Sequence, residues 1–165
     1  MVAITGTELL EWVEQTSRGW EKLLTAHPAA LSFPCDIRET KTVAELLQHV
    51  VAVELRYAER LNALPETPYG AIPFDSVTSI YATHDRAMKL LRPLLDKNED
   101  FWETMIEFKT RSAGTLHTSR RTMLVQLLTH SIRHYAQLAT LTRQHGVVPD
   151  WSMDYLMMQA RRTAA

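Results

Sequence analysis

The stretch that decides the fold is "LLTHSIRHYAQLATLTRQHG", residues 127–146. Its apolar residues recur with helical period, and Gly146 stands where a left-handed residue closes a helix. The apolar stripe is nevertheless interrupted by His130 and His134, four residues apart. On a helix such a pair sits about 40° apart in projection, with Cβ atoms roughly 5–6 Å apart, so both imidazoles face one way. Two nitrogen donors placed like this can converge on one ion, at about 2.0–2.1 Å for zinc, provided that another element supplies a further ligand.

Working outward, Thr118 is the expected cap of this helix, which runs to about His145. Upstream, Thr5 with Glu8 and Thr42 with Glu45 form capping-box patterns that satisfy orphan backbone donors. They predict one helix from about residue 6 to His27, ahead of Pro28, and another from about Val43 to Ala63, stopped by Pro65. Asp75 or Ser76 caps a third, ending near Asp96 with Pro93 kinking its last turn. Residues 97–118 show no sustained helical period and read as a long connection in which "TMIEFKT" lies extended along the helices. "PDWSMDYLMMQARR" suggests a short C-terminal helix. Four long helices without a convincing strand partner predict an all-α four-helix bundle, a single domain spanning residues 1–165. Its long connections permit crossover topologies, which this reasoning leaves open.

The third ligand comes from "VAELLQHVVAVELRYAERL". There Leu46, His49, Val50, Val53, Tyr57 and Leu61 follow the helical stripe, which turns His49 inward. Three neutral imidazoles in an apolar interior would otherwise each need a hydrogen-bond partner, and a shared divalent cation answers that need. A di-iron carboxylate site requires Glu-x-x-His, and that pattern occurs nowhere in the chain. H-E-x-x-H is absent too, because Ser131 follows His130. A three-histidine site with one position left for water or substrate is the reading that remains.

Composition narrows the partners. A formal net charge of −1 supplies no basic field for nucleic acid or anionic lipid. Hydrophobic residues at 45% and charged residues at 22% fit an ordinary globular protein. A single cysteine, Cys35, excludes an intramolecular disulfide, and neither a leader pattern nor a run of about 18 apolar residues stands out. The expectation is a cytoplasmic protein with no membrane and no nucleic-acid partner.

His49, followed far downstream by "LLTHSIRHYAQLATLTRQHGVVPDWSMDYL", resembles the DinB/YfiT-like superfamily of metal-dependent enzymes. The resemblance spans most of the chain in element order, and Tyr135 and Ala136 stand where many members carry His and Gly. It implies His49, His130 and His134 as metal triad, an up-down-down-up topology, a homodimer, and thiol-dependent transferase or isomerase chemistry. The functional expectation is a metal-dependent transferase, using a low-molecular-weight thiol, or a hydrolase. It would act on a small molecule with one zinc or nickel ion per chain.

Other residues carry alternative readings. His84, in the stripe Ile80, His84, Ala87, Met88 and Leu91, reads first as an ordinary core histidine and second as a candidate to line the site. Gln137, on nearly the face of His130, is placed to orient a metal-bound water, and Tyr57 to offer a phenol near the cavity. Glu45 is a candidate acceptor for an imidazole N–H beside its capping role. Arg120 and Arg121, with Lys109 and Arg111, read as an anion site or as solvated charge. Two further hypotheses stay open. One is a non-catalytic, metal-stabilised dimeric interaction module; the other is an apolar-ligand bundle with core histidines and no metal.

Overall fold

The computed structural model describes residues 3–110 and 114–160. Helix α1 (Gly6–Ala26) opens with the expected reciprocal cap: Thr5 Oγ1 accepts the Glu8 N–H at 3.1 Å, and the Glu8 carboxylate accepts the Thr5 N–H at 2.7 Å. Helix α2 (Val43–Leu61) is capped by Thr42, but the Glu45 carboxylate reaches back to the Lys41 N–H at 2.7 Å, one residue before the position expected. It stops two residues short of the expected end because Ala63 takes a left-handed conformation (φ 54°) that the helix cannot continue through. Helix α3 (Val77–Leu91) starts from Ser76 and stops as an α-helix at Leu91 rather than near Asp96. Pro93 lacks the N–H that a further turn would need, and residues Arg92–Asp96 tighten into a 3-10 turn.

Residues 97–118 correct the all-α expectation. They form a short helix α4 (Glu99–Glu103) and an antiparallel hairpin of β1 (Met105–Thr110) and β2 (Gly114–Ser119), with Met105 opposite Ser119 and Thr110 opposite Gly114. The fold is mostly helical with a two-stranded sheet. Strand alternation is clear on one side only: Ile106 and Phe108 turn inward from β1, whereas β2 offers a single large apolar residue, Leu116, itself 39% exposed. Because β2 consumes Thr118, the cap of helix α5 (Arg120–Gln144) passes to Ser119, whose Oγ accepts the Thr122 N–H at 3.2 Å. Gly146 closes α5 at φ 79° as expected. The C-terminal helix α6 (Leu156–Gln159) is a single turn; Arg111, Arg161 and Arg162 lie outside the described residues.

Cross-helix contacts set the directions. Glu54 meets His84 and Asn62 meets the Leu90 carbonyl, so α2 and α3 run the same way. Ser17 meets Tyr135 while Gly6 lies beside Leu124, so α1 and α5 run the same way. His49 faces His134 and Glu54 faces Ser131, so α2 and α5 run oppositely.

Two apolar clusters fill the interior, one around Trp20, Leu46, Val50, Ile80 and Tyr135, the other around Leu10, Leu55, Leu91 and Leu127. Fully burying each such side chain contributes about 1.5–3 kcal/mol. Along each long helix a buried polar residue falls between the clusters: Ser17, Glu54, His84 and Ser131. The segment after α5 lies along α1. Trp151 meets Trp20 edge-on at 5.5 Å, and the Trp12 indole N–H donates to the Met153 carbonyl at 2.7 Å. A Cβ at Gly19 would come within 2.3 Å of the Trp151 ring, so this close approach requires glycine. Among the described residues no helix is long and apolar enough to cross a membrane.

Candidate metal centre

The antiparallel pairing of α2 and α5 brings His49, His130 and His134 together, with one nitrogen of each within 4.8 Å of the others. Their ring centroids lie 4.4–5.1 Å apart, and His49 Nε2 sits 3.1 Å from His130 Nε2. Two nitrogens bound tetrahedrally to zinc would stand about 3.3 Å apart, so the spacing suits a shared cation. His130 and His134 are buried, whereas His49 is partly open to solvent. His130 Nδ1 and both nitrogens of His134 are buried without a hydrogen-bond partner of good geometry. A buried polar atom left in that state costs about 1–3 kcal/mol, which a coordinating ion would offset.

Electrostatics point the same way. Burial, then the neighbouring imidazoles His134 and His49, then Arg133 and Arg38, push His130 down to about 2. Burial and Arg133 push His134 down to about 4, with Arg38 adding to the effect and the Gln137 side chain opposing it. Both rings are therefore neutral throughout the physiological range, the state in which imidazole binds a metal.

The other buried histidine behaves differently. His84 Nδ1 lies 2.7 Å from Glu54 Oε2, and Ser131 Oγ donates to Glu54 Oε1 at 2.7 Å. Burial alone would lower the His84 pKa, but the Glu54 carboxylate beside it outweighs that and raises it. Glu54 thus ties α3 to α5 through the core and fixes Ser131, the residue after His130. Of the two readings of His84, the core one describes its contacts.

The remaining sequence candidates fall away from the three imidazoles or keep a peripheral place. Tyr57 packs under the hairpin, edge-on to Phe108 at 6.1 Å, with the Arg60 guanidinium 5.2 Å over its ring. Gln137 is exposed one turn beyond His134. Glu45 is engaged with the Lys41 N–H. Arg120 lies 4.1 Å over the Phe101 ring and Arg121 pairs with Glu99 and Glu103, so neither is poised for an external anion. Cys35 is buried in the loop before α2, accepting from Thr40 Oγ1 at 3.2 Å. His27 and His145 are helix C-caps.

Four residues around the centre escaped the sequence reading. Glu54 and Ser131 had a legible signal: each falls in phase with a buried stripe, Leu47, Val50, Glu54, Ala58, Leu61 in α2 and Leu124, Leu127, Ser131, Tyr135, Leu138 in α5. Arg133 lies between two ligand candidates on α5, and a helical projection would have placed it beside them. Arg38, in the loop between α1 and α2, had no local signal.

Comparison with family models matches the DinB family over residues 1–163. No curated protein matches the chain.

Proposed function

Because the chain belongs to the DinB family, we propose that it is an up-down-down-up four-helix bundle that holds one divalent cation through His49, His130 and His134 and acts on a small molecule as a metal-dependent transferase or hydrolase. The observation that carries this reading is the convergence of three imidazoles, with His130 Nδ1 and both His134 nitrogens buried and unsatisfied. Zinc and nickel are the ions we expect, since imidazole suits both. The homodimer and a low-molecular-weight thiol as co-substrate follow from the resemblance, and the cytoplasmic location from the single cysteine.

When bound, such an ion supplies Lewis-acid polarisation and lowers the pKa of a ligated water or thiol. The protein's own contribution is the geometry. His130 and His134 are held four residues apart on one helix face, and the Glu54–Ser131 hydrogen bond fixes that face against α2, which carries His49. Burial keeps His130 and His134 neutral and excludes water from the inner side of the site. Gln137, exposed on α5 beyond His134, is the side chain we assign to orient a substrate polar group.

Alanine at His49, His130 or His134 should each lower turnover by about 100-fold or more while the far-ultraviolet circular dichroism stays that of the wild type. The assay is a panel of thiol transfers and hydrolyses on small electrophiles. Turnover retained in all three variants would exclude the metal-dependent mechanism. A loss of thermal stability on chelation, with no turnover under any condition, would favour the non-catalytic module instead.

A further inference from the structure

Away from the histidines, a cleft of about 430 Å³ lies between α1 and the segment that follows α5. Its walls come from α1 and from residues 150–157, with none from α2 or α5, the helices that carry His49, His130 and His134. The volume falls within the range of about 300–1,000 Å³ that small-molecule sites occupy.

Trp12 and Trp151 give the cleft an aromatic wall, and the fold holds both rings in place. The Trp12 indole N–H donates to the Met153 carbonyl at 2.7 Å, and Tyr155 meets the same ring edge-on at 5.5 Å. Trp151 rests edge-on against Trp20 at 5.5 Å, over the bare Cα of Gly19. A guest therefore meets aromatic surface that is already ordered, so little entropy is lost in arranging it.

The polar rims carry opposite charge. Arg18 and Lys22 stand one turn apart on α1, about 6 Å along its axis, and both line the cleft. Asp150 and Asp154 line it from the segment after α5. The contacts of Trp151 with Gly19 and of Met153 with Trp12 run that segment antiparallel to α1, so Asp150 falls toward Lys22 and Asp154 toward Trp12. Arg56, Arg60, Arg86, Arg92 and Arg121 each pair with a carboxylate. Arg18, Lys22, Asp150 and Asp154, in contrast, are exposed and make no ion pair among the described residues. The Asp154 carboxylate accepts only the Ser152 hydroxyl, at 3.1 Å. Two cations and two carboxylates thus border one cleft without neutralising each other.

An aromatic wall alone would take any apolar ring, a cationic rim alone a carboxylate, and an anionic rim alone an amine. A zwitterion with an apolar body uses all three. We infer that this cleft binds a free α-amino acid with a large apolar side chain: its carboxylate meets Arg18 and Lys22, its ammonium meets Asp150 and Asp154, and its side chain lies against Trp12 and Trp151. The guanidinium fork matches a carboxylate bidentately, and the site needs no metal.

The test is calorimetric titration of the full-length protein in the presence of EDTA with three probes built on one skeleton. L-phenylalanine carries both charges, 3-phenylpropionate the negative one and 2-phenylethylamine the positive one. Wild type should bind L-phenylalanine in the millimolar range or below, at least tenfold more tightly than either analogue, with a change in tryptophan fluorescence. Arg18→Gln combined with Lys22→Gln should weaken L-phenylalanine at least fivefold and leave 2-phenylethylamine unchanged. Asp150→Asn combined with Asp154→Asn should weaken it as much and leave 3-phenylpropionate unchanged. All four side chains are exposed, so both double variants should keep the wild-type Tm, and Arg143→Gln, on an exposed arginine outside the cleft, should keep full affinity. No binding of L-phenylalanine, an analogue that binds as tightly, or an affinity that survives both double variants would overturn the inference. Because EDTA is present throughout, each of these outcomes leaves the metal reading standing.

Discussion

A cluster of three histidines and a single buried histidine, His84, lie within a few residues of each other in this fold, and they have opposite electrostatics. At the α2–α5 seam, His130 and His134 face other imidazoles, His130 Nδ1 and both His134 nitrogens lack hydrogen-bond partners, and both rings are held neutral. In the polar layer, His84 faces a fully buried carboxylate that a serine also engages, and its pKa is raised. Burial is nearly the same for all three, so burial does not tell a ligand from a structural histidine. The partner does. A buried imidazole already satisfied by a carboxylate needs nothing more, whereas buried imidazole nitrogens without any partner, as on His130 and His134, call for a cation.

The comparison is broken most forcefully at Glu54. Glu54→Ala should destabilise the protein by about 3–5 kcal/mol in urea denaturation, because it strands the buried His84 ring as well as the Ser131 hydroxyl. A loss under about 1 kcal/mol would mean the polar layer does not hold the helices. The counterpart at the other cluster should do the reverse. In metal-free protein His134→Leu should leave stability within about 1 kcal/mol of wild type or raise it, since it replaces an unsatisfied buried ring by an apolar one.

Acid and base separate the two clusters further. The His84 pKa is raised in the fold, so its contribution is complete below the unfolded value of about 6.5 and is lost as pH rises through the folded value. The stability gap between wild type and His84→Gln should therefore narrow from pH 6 toward pH 9. The His134 pKa is lowered to about 4, so the metal-free fold loses stability as pH falls from about 6.5 toward that value. Wild type should accordingly weaken relative to His134→Leu over the same interval. Parallel pH profiles for the two pairs would erase the distinction.

Much of this was legible in the sequence because helices declare themselves. Thr5 with Glu8, Ser76 and Gly146 marked ends where capping chemistry demanded them, and His49, His130 and His134 fell on inward faces by period alone. The hairpin was not legible, because β2 buries almost nothing and its alternation has no apolar half. Pro93 was read as a kink when it ends the α-helix, a choice that depends on whether neighbouring helices satisfy the freed carbonyl. Glu54 was hidden because a carboxylate in an apolar stripe makes sense only once His84 and Ser131 arrive from other helices. Arg38 depends on a left-handed loop conformation that no residue type there announces.

The central claim, that the cluster of His49, His130 and His134 binds a metal and the carboxylate-paired His84 does not, is tested by metal content. Plasma mass spectrometry on untagged protein never exposed to chelator should find about one divalent ion per chain in wild type and in His84→Gln, and none in His130→Ala. Metal-free wild type, or an ion retained in His130→Ala and lost in His84→Gln, would contradict it.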